Sequence, residues 1–250
     1  LKTLYLVITL RSIHFAVFSQ TNEQYANAKV SYGIKLKLDK TTKRYKFLQS
    51  NAPDYLRKIE TVDSEIDLSL ILNDSIFIFY LEKKMYSDQN AASVALGRAG
   101  YFGRIKQQSE NYITEELQEA FGKFLVSRPY QDWKLHDETK TIGDYTCFKA
   151  TTFYTTTNPE GKVFKHDFTA WYTPELPYSY GPAGYGNLPG LIIELQGKEF
   201  TYGVNKIKFF DEGEESKENE MPELKKKKLI TEEEFERLAA EDEKCWRKQN

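Results

Sequence analysis

Segments in which apolar and polar residues alternate recur at short spacing through most of the 250-residue chain. One runs from Asn27 to Asp39, and another ends at Leu72, just before Asn73-Asp74-Ser75 and a second apolar run from Ile76 to Leu81. Alternation with period two is typical of half-buried strands, because successive side chains of a strand point to opposite faces. Asn, Asp and Ser favour turns, so the second pair of runs predicts a β-hairpin.

Further strand-like runs follow, each bounded by Gly, Pro, Asn or Asp, such as "TCFKATTFYT", "KVFKHDFTAWYT", "LIIELQ" and "TYGVNKIKFF". Asn158-Pro159 and Gly161 supply a turn between the first two. Short connections between consecutive strands predict a mainly β fold, an antiparallel meander that forms a curved sheet or half-barrel. "KRYKFLQSNAPDYLRKIE" fits either a short helix or a long loop, and "SDQNAASVALGRAG", which is small and polar, predicts a loop.

The first nineteen residues have the layout of a cleaved export signal. Lys2 is followed by an apolar stretch from Leu4 to Leu10, and Ser19 is a small residue at the expected cleavage site. An amphipathic first strand is the alternative. We therefore predict a signal peptide over residues 1–19 and a periplasmic or secreted protein.

The composition changes sharply after Phe210. We therefore divide the chain that follows the predicted signal peptide into three parts. We predict a β domain over 24–210, a charged disordered linker over 211–229 and a helical tail over 230–247, because "DEGEESKENEMPELKKKK" offers almost nothing to bury. Thr231 and Glu234 have the spacing of a capping box, which predicts a short C-terminal helix. We expect this tail to add little to the stability of the β domain.

The overall charge and hydropathy exclude two classes of protein. Lys and Arg total 35 against 37 Asp and Glu, so no basic surface on the scale of the whole chain indicates nucleic-acid binding. No apolar run of eighteen or more residues follows the first twenty, so we expect no membrane span in the mature chain.

Few residues are candidates for chemistry. Motifs of metalloproteases, paired CxxC sites and phosphate-binding loops are absent from the sequence, and we predict neither a metal nor a cofactor. Cys147 and Lys149 share a strand face, which would lower the pKa of the thiol if they meet. His136 and His166 each precede an aspartate. Cys147 and Cys245 are able to pair in an oxidising compartment, or remain free thiols.

One stretch, Ala170 to Leu195, combines four prolines with a cluster of aromatic residues. The prolines and glycines predict a strand, a rigid folded loop and a return strand. Tyr and Trp near the open end of a curved sheet often line ligand sites, although they also pack on one another. The candidate ligand-binding or partner-binding residues are therefore Trp171, Tyr172, Tyr178, Tyr180 and Tyr185.

"WKLHDETKTIGDYTCFKAT", "AWYTPELPYSYGP" and "NLPGLIIEL" resemble, in this order, the hallmark segments of the GLPGLI family of exported proteins of Gram-negative bacteria. The resemblance covers most of residues 25 to 210. It implies a cell-envelope protein, but it transfers no catalytic or metal-binding residue, because the family is poorly characterised. The name-giving motif corresponds here to Leu188, Pro189, Gly190, Leu191 and Ile192, to which we assign a structural role.

Two features of the motif predict its backbone. Asn187 stands where the family has its first glycine, and asparagine tolerates a left-handed conformation better than other non-glycine residues. Pro189-Gly190 predicts a turn in which Gly190 takes a positive φ. The hairpin as a whole, strand, proline-rich loop and strand, also looks like one found in periplasmic lipoprotein-carrier half-barrels.

These observations favour a non-enzymatic envelope protein that binds a hydrophobic ligand, a peptide or a partner protein in a curved β-sheet. Its expected partners are an outer-membrane or periplasmic protein, or a lipid or peptide ligand, and it would act as an accessory to an outer-membrane system. The alternative is a hydrolase or thiol enzyme that uses Cys147 or His166.

Overall fold

The structure, a computed structural model, describes residues 27–72, 77–118, 122–157, 161–210 and 228–249. The predicted signal peptide and nearly all of the predicted linker lie outside these residues. No helix within the described ranges is long and apolar enough to cross a membrane.

Twelve described strands form one curved sheet, which confirms the prediction of a mainly β, mostly antiparallel fold. The strand order is β12-β6-β5-β4-β3-β2-β1-β11-β10-β9-β8-β7, and neighbouring strands run antiparallel except β12 and β6. The strands are β1 Asn27–Leu36, β2 Asp67–Leu72, β3 Phe77–Leu81, β4 Ile105–Gln107, β5 Asn111–Gln118, β6 Gly122–Pro129, β7 Lys134–Ile142, β8 Tyr145–Thr157, β9 Val163–Thr173, β10 Leu191–Gln196, β11 Phe200–Phe210 and β12 Lys228–Thr231.

The sheet consists of two meanders joined side by side rather than one continuous meander. Strands β1 to β6 form the first half and β7 to β11 the second, and the halves meet where β1 pairs with β11. The predicted hairpin before and after the Asn-Asp-Ser turn is confirmed by the pairing of β2 with β3. β1 lies at the centre because its alternating residues bury one complete face, from Ala28 to Leu36.

Four described helices accompany the sheet: α1 Lys43–Asn51, α2 Pro53–Thr61, α3 Gln89–Arg98 and α4 Glu232–Gln249. The ambiguous stretch before β2 forms α1 and α2. Its helices begin where the side chain of Thr42 accepts a hydrogen bond from the backbone of Tyr45 and where Pro53 occupies a first-turn position.

The prediction of a loop over "SDQNAASVALGRAG" is wrong, because residues 89–98 form α3. The side chain of Asp88 caps the helix by accepting a hydrogen bond from the backbone N–H of Ala91 at 2.9 Å. Ala91, Ala92 and Ala95 are fully buried. The small side chains that suggested a loop are the ones that allow the helix to lie close against its neighbours.

The hydrophobic core contains an aromatic cluster. The ring of Phe79 meets those of Tyr32, Tyr101 and Tyr202 edge to face, with centroids 5.9, 5.9 and 6.0 Å away. The buried hydroxyl of Tyr202 donates to the carbonyl of Ala99 at the end of α3, at 2.9 Å. These contacts hold the end of α3 over the sheet.

The C-terminal segment pairs with the edge of the sheet, whereas its small contribution to stability stays a prediction. β12 runs parallel to β6, starts at Lys228 inside the range predicted as linker, and buries Ile230. The hydroxyl of Thr231 accepts a hydrogen bond from the backbone N–H of Glu234 at 3.2 Å, as the predicted capping box requires. The short C-terminal helix is confirmed as α4.

Candidate functional site

A cavity of about 610 Å³ is lined by residues from both halves of the sheet. Strands β4 to β6 form one wall, and the end of β8 with Phe168 of β9 forms the facing wall. The end of α3, the loop around Tyr185 and the start of α4 complete the enclosure. Its lining includes the side chains of Arg98, Phe102, Tyr112, Thr114, Glu116, Arg128, Tyr154, Phe168, Tyr185, Phe200, Glu232 and Glu236.

A row of aromatic rings forms the wall on β8 and β9. Tyr154 stacks on the imidazole of His166 at 4.6 Å and on Phe168 at 5.5 Å, measured between ring centroids. Phe168 in turn contacts Tyr185 at 5.0 Å and Phe200 at 6.1 Å. The row therefore leads from the exposed ends of β8 and β9 into the cavity.

The opposite wall holds the guanidinium of Arg128 on β6, one of several charged groups that line the cavity. It forms ion pairs with Glu116 on β5 at 3.1 Å and with Glu232 on α4 at 3.2 Å. Thr114 accepts a hydrogen bond from Arg128 and donates one to Glu116 at 3.1 Å. The ring of Phe235 lies 5.6 Å from the guanidinium carbon, in cation–π geometry. Arg128 thus links β5, β6 and the C-terminal segment.

The loop between β9 and β10 lines the cavity with Ala183 and Tyr185, and its last residues return to the sheet. Leu188, Leu191 and Ile192 are buried, and the backbone N–H groups of Leu191 and Ile192 donate to Leu176 and Tyr180 at 2.9 and 3.2 Å. Gly190 has a φ of 148° and Asn187 a φ of 61°, which agrees with the positive φ predicted at both positions. Pro189 stays exposed at the turn. The motif holds the loop against the sheet.

A family model described as "Protein of unknown function (Porph_ging)" matches residues 133–168 and 160–194. This region matches the Porph_ging family. The matched region, called here the Porph_ging segment, contains β7, β8, β9, the loop and the start of β10. The match to this Bacteroidetes-associated family is consistent with the GLPGLI resemblance, and it brings no assigned function.

Two solved structures also resemble the chain, both described as PNGF-II, one in space group C2 and one in P21. They are 12% and 13% identical to it, with TM-scores of 0.48 and 0.49, over 86% and 87% of this chain and 33% and 34% of theirs. The chain thus spans about a third of the length of these proteins. None of the curated proteins compared with the chain matches it.

The five aromatic residues predicted as one site lie in three places of the Porph_ging segment. Tyr185 lines the cavity, and burial raises the pKa of its hydroxyl well above the usual value. Tyr172, Tyr178 and Tyr180 pack on the core, where Tyr172 contacts Phe148 at 6.1 Å and Tyr180 stacks on Phe77 at 3.8 Å.

Trp171 lies on the other face of the sheet from Tyr172, because consecutive residues of a strand alternate. The ammonium of Lys140 sits 4.4 Å from the centroid of the Trp171 ring and also contacts Glu194 at 2.8 Å. The aromatic residues that are close together in the sequence therefore lie in three places: at the cavity, on the core, and on the face of the sheet opposite to Tyr172.

The candidates for chemistry in the Porph_ging segment do not converge. The thiol of Cys147 is buried and donates to the carbonyl of Tyr145, and the ammonium of Lys149 instead contacts Glu138 at 2.9 Å. His136 and His166 each share a hydrogen bond of 2.8 Å with a threonine hydroxyl. Among the described residues, no three or more His, Cys, Asp or Glu side chains group as metal ligands. The side chain of Cys245 lies outside the description.

Cys147 is expected to resist alkylation in the folded protein at pH 8. Burial raises the pKa of its thiol to about 11, despite the opposing charge of Lys140, so the thiolate that reacts is scarce. Labelling with iodoacetamide, followed by mass spectrometry of the Cys147 peptide, should be at least about tenfold slower in native than in urea-unfolded protein. Equal rates in the two states would contradict the buried position.

Proposed function

We propose that this protein is a non-enzymatic binding protein of the cell envelope, which holds an elongated hydrophobic ligand in the cavity of its curved sheet. The observation that carries the proposal is the aromatic row of Tyr154, Phe168 and Tyr185, which lines a cavity of about 610 Å³. A volume of this size lies within the range of small-molecule sites.

The rim of the cavity supports a hydrophobic ligand. Phe102 lines the cavity and is exposed, and so is Tyr154 on the opposite side. Phe164 is also exposed, two residues before His166 on the same face of β9. Large apolar side chains exposed around an opening favour capture of apolar ligands, because their surface is removed from water on binding.

The state of the polar groups favours binding over reaction. Arg128 and Glu116 form an ion pair with each other. The imidazole of His166 shares a hydrogen bond with Thr156 and stacks on the ring of Tyr154. Catalysis is better indicated by a nucleophile beside a base than by polar groups that are paired in this way. The export signal predicted over residues 1–19 supports an envelope location, in which a lipid or an apolar peptide delivered by a partner protein is the expected ligand.

Truncation of Tyr154 is expected to weaken hydrophobic binding while the fold persists. Tyr154→Ala removes an exposed ring of the aromatic row, and the loss of one such contact should raise the Kd for Nile red, a neutral fluorescent probe, by about tenfold. The measurement is a fluorescence titration, with a melting curve recorded for each variant.

Phe153→Ala is the matched control for this titration. Phe153 is the preceding residue of β8, is also exposed, and contacts Lys165 on the other face of the sheet. We expect its Kd to equal that of the wild type. The proposal fails if the wild type does not bind Nile red, or if both variants weaken binding to the same degree.

A further inference from the structure

We propose that the natural ligand is a linear alkyl carboxylate, whose carboxylate binds Arg128 in the place that Glu232 now occupies. This inference rests on the proposed function and adds the chemistry of the ligand's polar end.

Arg128 is a held cationic group in a cavity whose lining combines aromatic with charged side chains. Its side chain is 14% exposed, and it is held on one side by Glu116, which is 7% exposed, and by Thr114. A guanidinium presents donors in a planar fork that matches a carboxylate, and its held position reduces the entropy lost on binding. Glu116 is fixed in turn by Thr114 and remains in place when a ligand binds.

Glu232 is the replaceable partner of Arg128. Its side chain is 43% exposed, and it reaches the cavity from the first turn of α4 rather than from the core of the sheet. A half-exposed carboxylate that leaves an ion pair regains its hydration, so the exchange costs little. A ligand carboxylate brings the same charge to the same guanidinium and therefore restores the balance of charge at Arg128.

The space beside Arg128 determines the rest of the ligand. Tyr112 on β5 and Phe168 on β9 line the same cavity as Arg128, so a chain anchored at the guanidinium passes between apolar walls. At Arg128 itself, a cationic group in place of Glu232 would bring a second positive charge to the guanidinium, and a neutral group would gain no ion pair. The geometry thus selects an amphiphile with one anionic end.

The test compares dodecanoate with dodecan-1-ol as competitors of bound Nile red, at pH 8, in the full chain. The wild type should bind dodecanoate about tenfold more tightly than the alcohol, as a charge-assisted hydrogen bond to a carboxylate predicts. Glu232→Gln removes the competing charge and should raise the affinity for dodecanoate by a further factor of about five, while the affinity for the alcohol stays unchanged.

Glu233→Gln is the matched control, because Glu233 follows Glu232 in the first turn of α4, removes the same charge and is not among the described side chains that line the cavity. It should change neither affinity by more than about twofold. The inference is overturned if the wild type binds both competitors equally, or if neither displaces Nile red. It is also overturned if Glu232→Gln raises the affinity for both competitors alike, because that result would indicate a loosened C-terminal segment. Failure of Nile red itself to bind would instead reject the proposed function.

Discussion

Gly190→Ala is expected to destabilise the fold by roughly 3–5 kcal/mol, because it adds an atom where the backbone has no space. The new Cβ would overlap the carbonyl group of Thr173, and the φ of 148° at Gly190 is strained for any other residue. For a domain of this size the loss corresponds to a fall in Tm of about 10 °C. Thermal unfolding followed by circular dichroism measures it.

Gly203→Ala is the control for this substitution. Gly203 lies in β11, and a Cβ built there meets nothing within 4 Å among the described residues. The change should leave the Tm within a few degrees, since alanine loses less backbone entropy on folding than glycine. A Gly190→Ala protein that melts like the Gly203→Ala protein would show that the turn relaxes without cost.

Ile230→Asp is expected to detach the C-terminal segment from the sheet. Ile230 is 2% exposed where β12 meets β6, and an aspartate there must either lose its hydration or leave. A cost of roughly 3 kcal/mol raises the detached population by about a hundredfold. An isolated helix of the length of α4 is only marginally stable in water. Trypsin should therefore cleave the variant after Arg237, an exposed residue of α4, much faster than it cleaves the wild type.

Leu229→Asp supplies the comparison for Ile230→Asp. Leu229 precedes Ile230 in β12 and is 55% exposed, so an aspartate at 229 remains hydrated. Cleavage after Arg237 should then stay close to the wild-type rate. If both substitutions accelerate cleavage equally, β12 is not held by burial of Ile230, and the sequence-based expectation of a weakly attached tail is the better description.

Local patterns predicted the sheet well but not the way in which its halves join. Alternation predicted β1 and the β2–β3 hairpin, since each depends on neighbouring residues. The pairing of β1 with β11 joins residues from opposite ends of the domain, which no local pattern records. The α3 helix was missed because its small residues also favour loops in isolation, and tertiary packing decides between the two.

The candidate site was predicted less well than the fold, for a related reason. Adjacent aromatic residues in a strand alternate between faces, so Trp171 and Tyr172 could not share one site. Tyr154 and Phe168 belong to two strands paired in register, and only that pairing makes them one row. Arg128 gave no signal in the sequence, because its partners come from β5 and from α4.

The junction between β1 and β11 also has a consequence for how the chain acquires its fold. Asn27 pairs with Phe210 and Leu36 with Phe200, so β1 keeps an open edge until nearly the whole domain has been synthesised. Contacts between such distant residues form slowly, and unpaired strand edges promote aggregation in the meantime. Nascent chains that end before β11 are therefore expected to depend on chaperones, and the rate of refolding should be limited by closure of this junction.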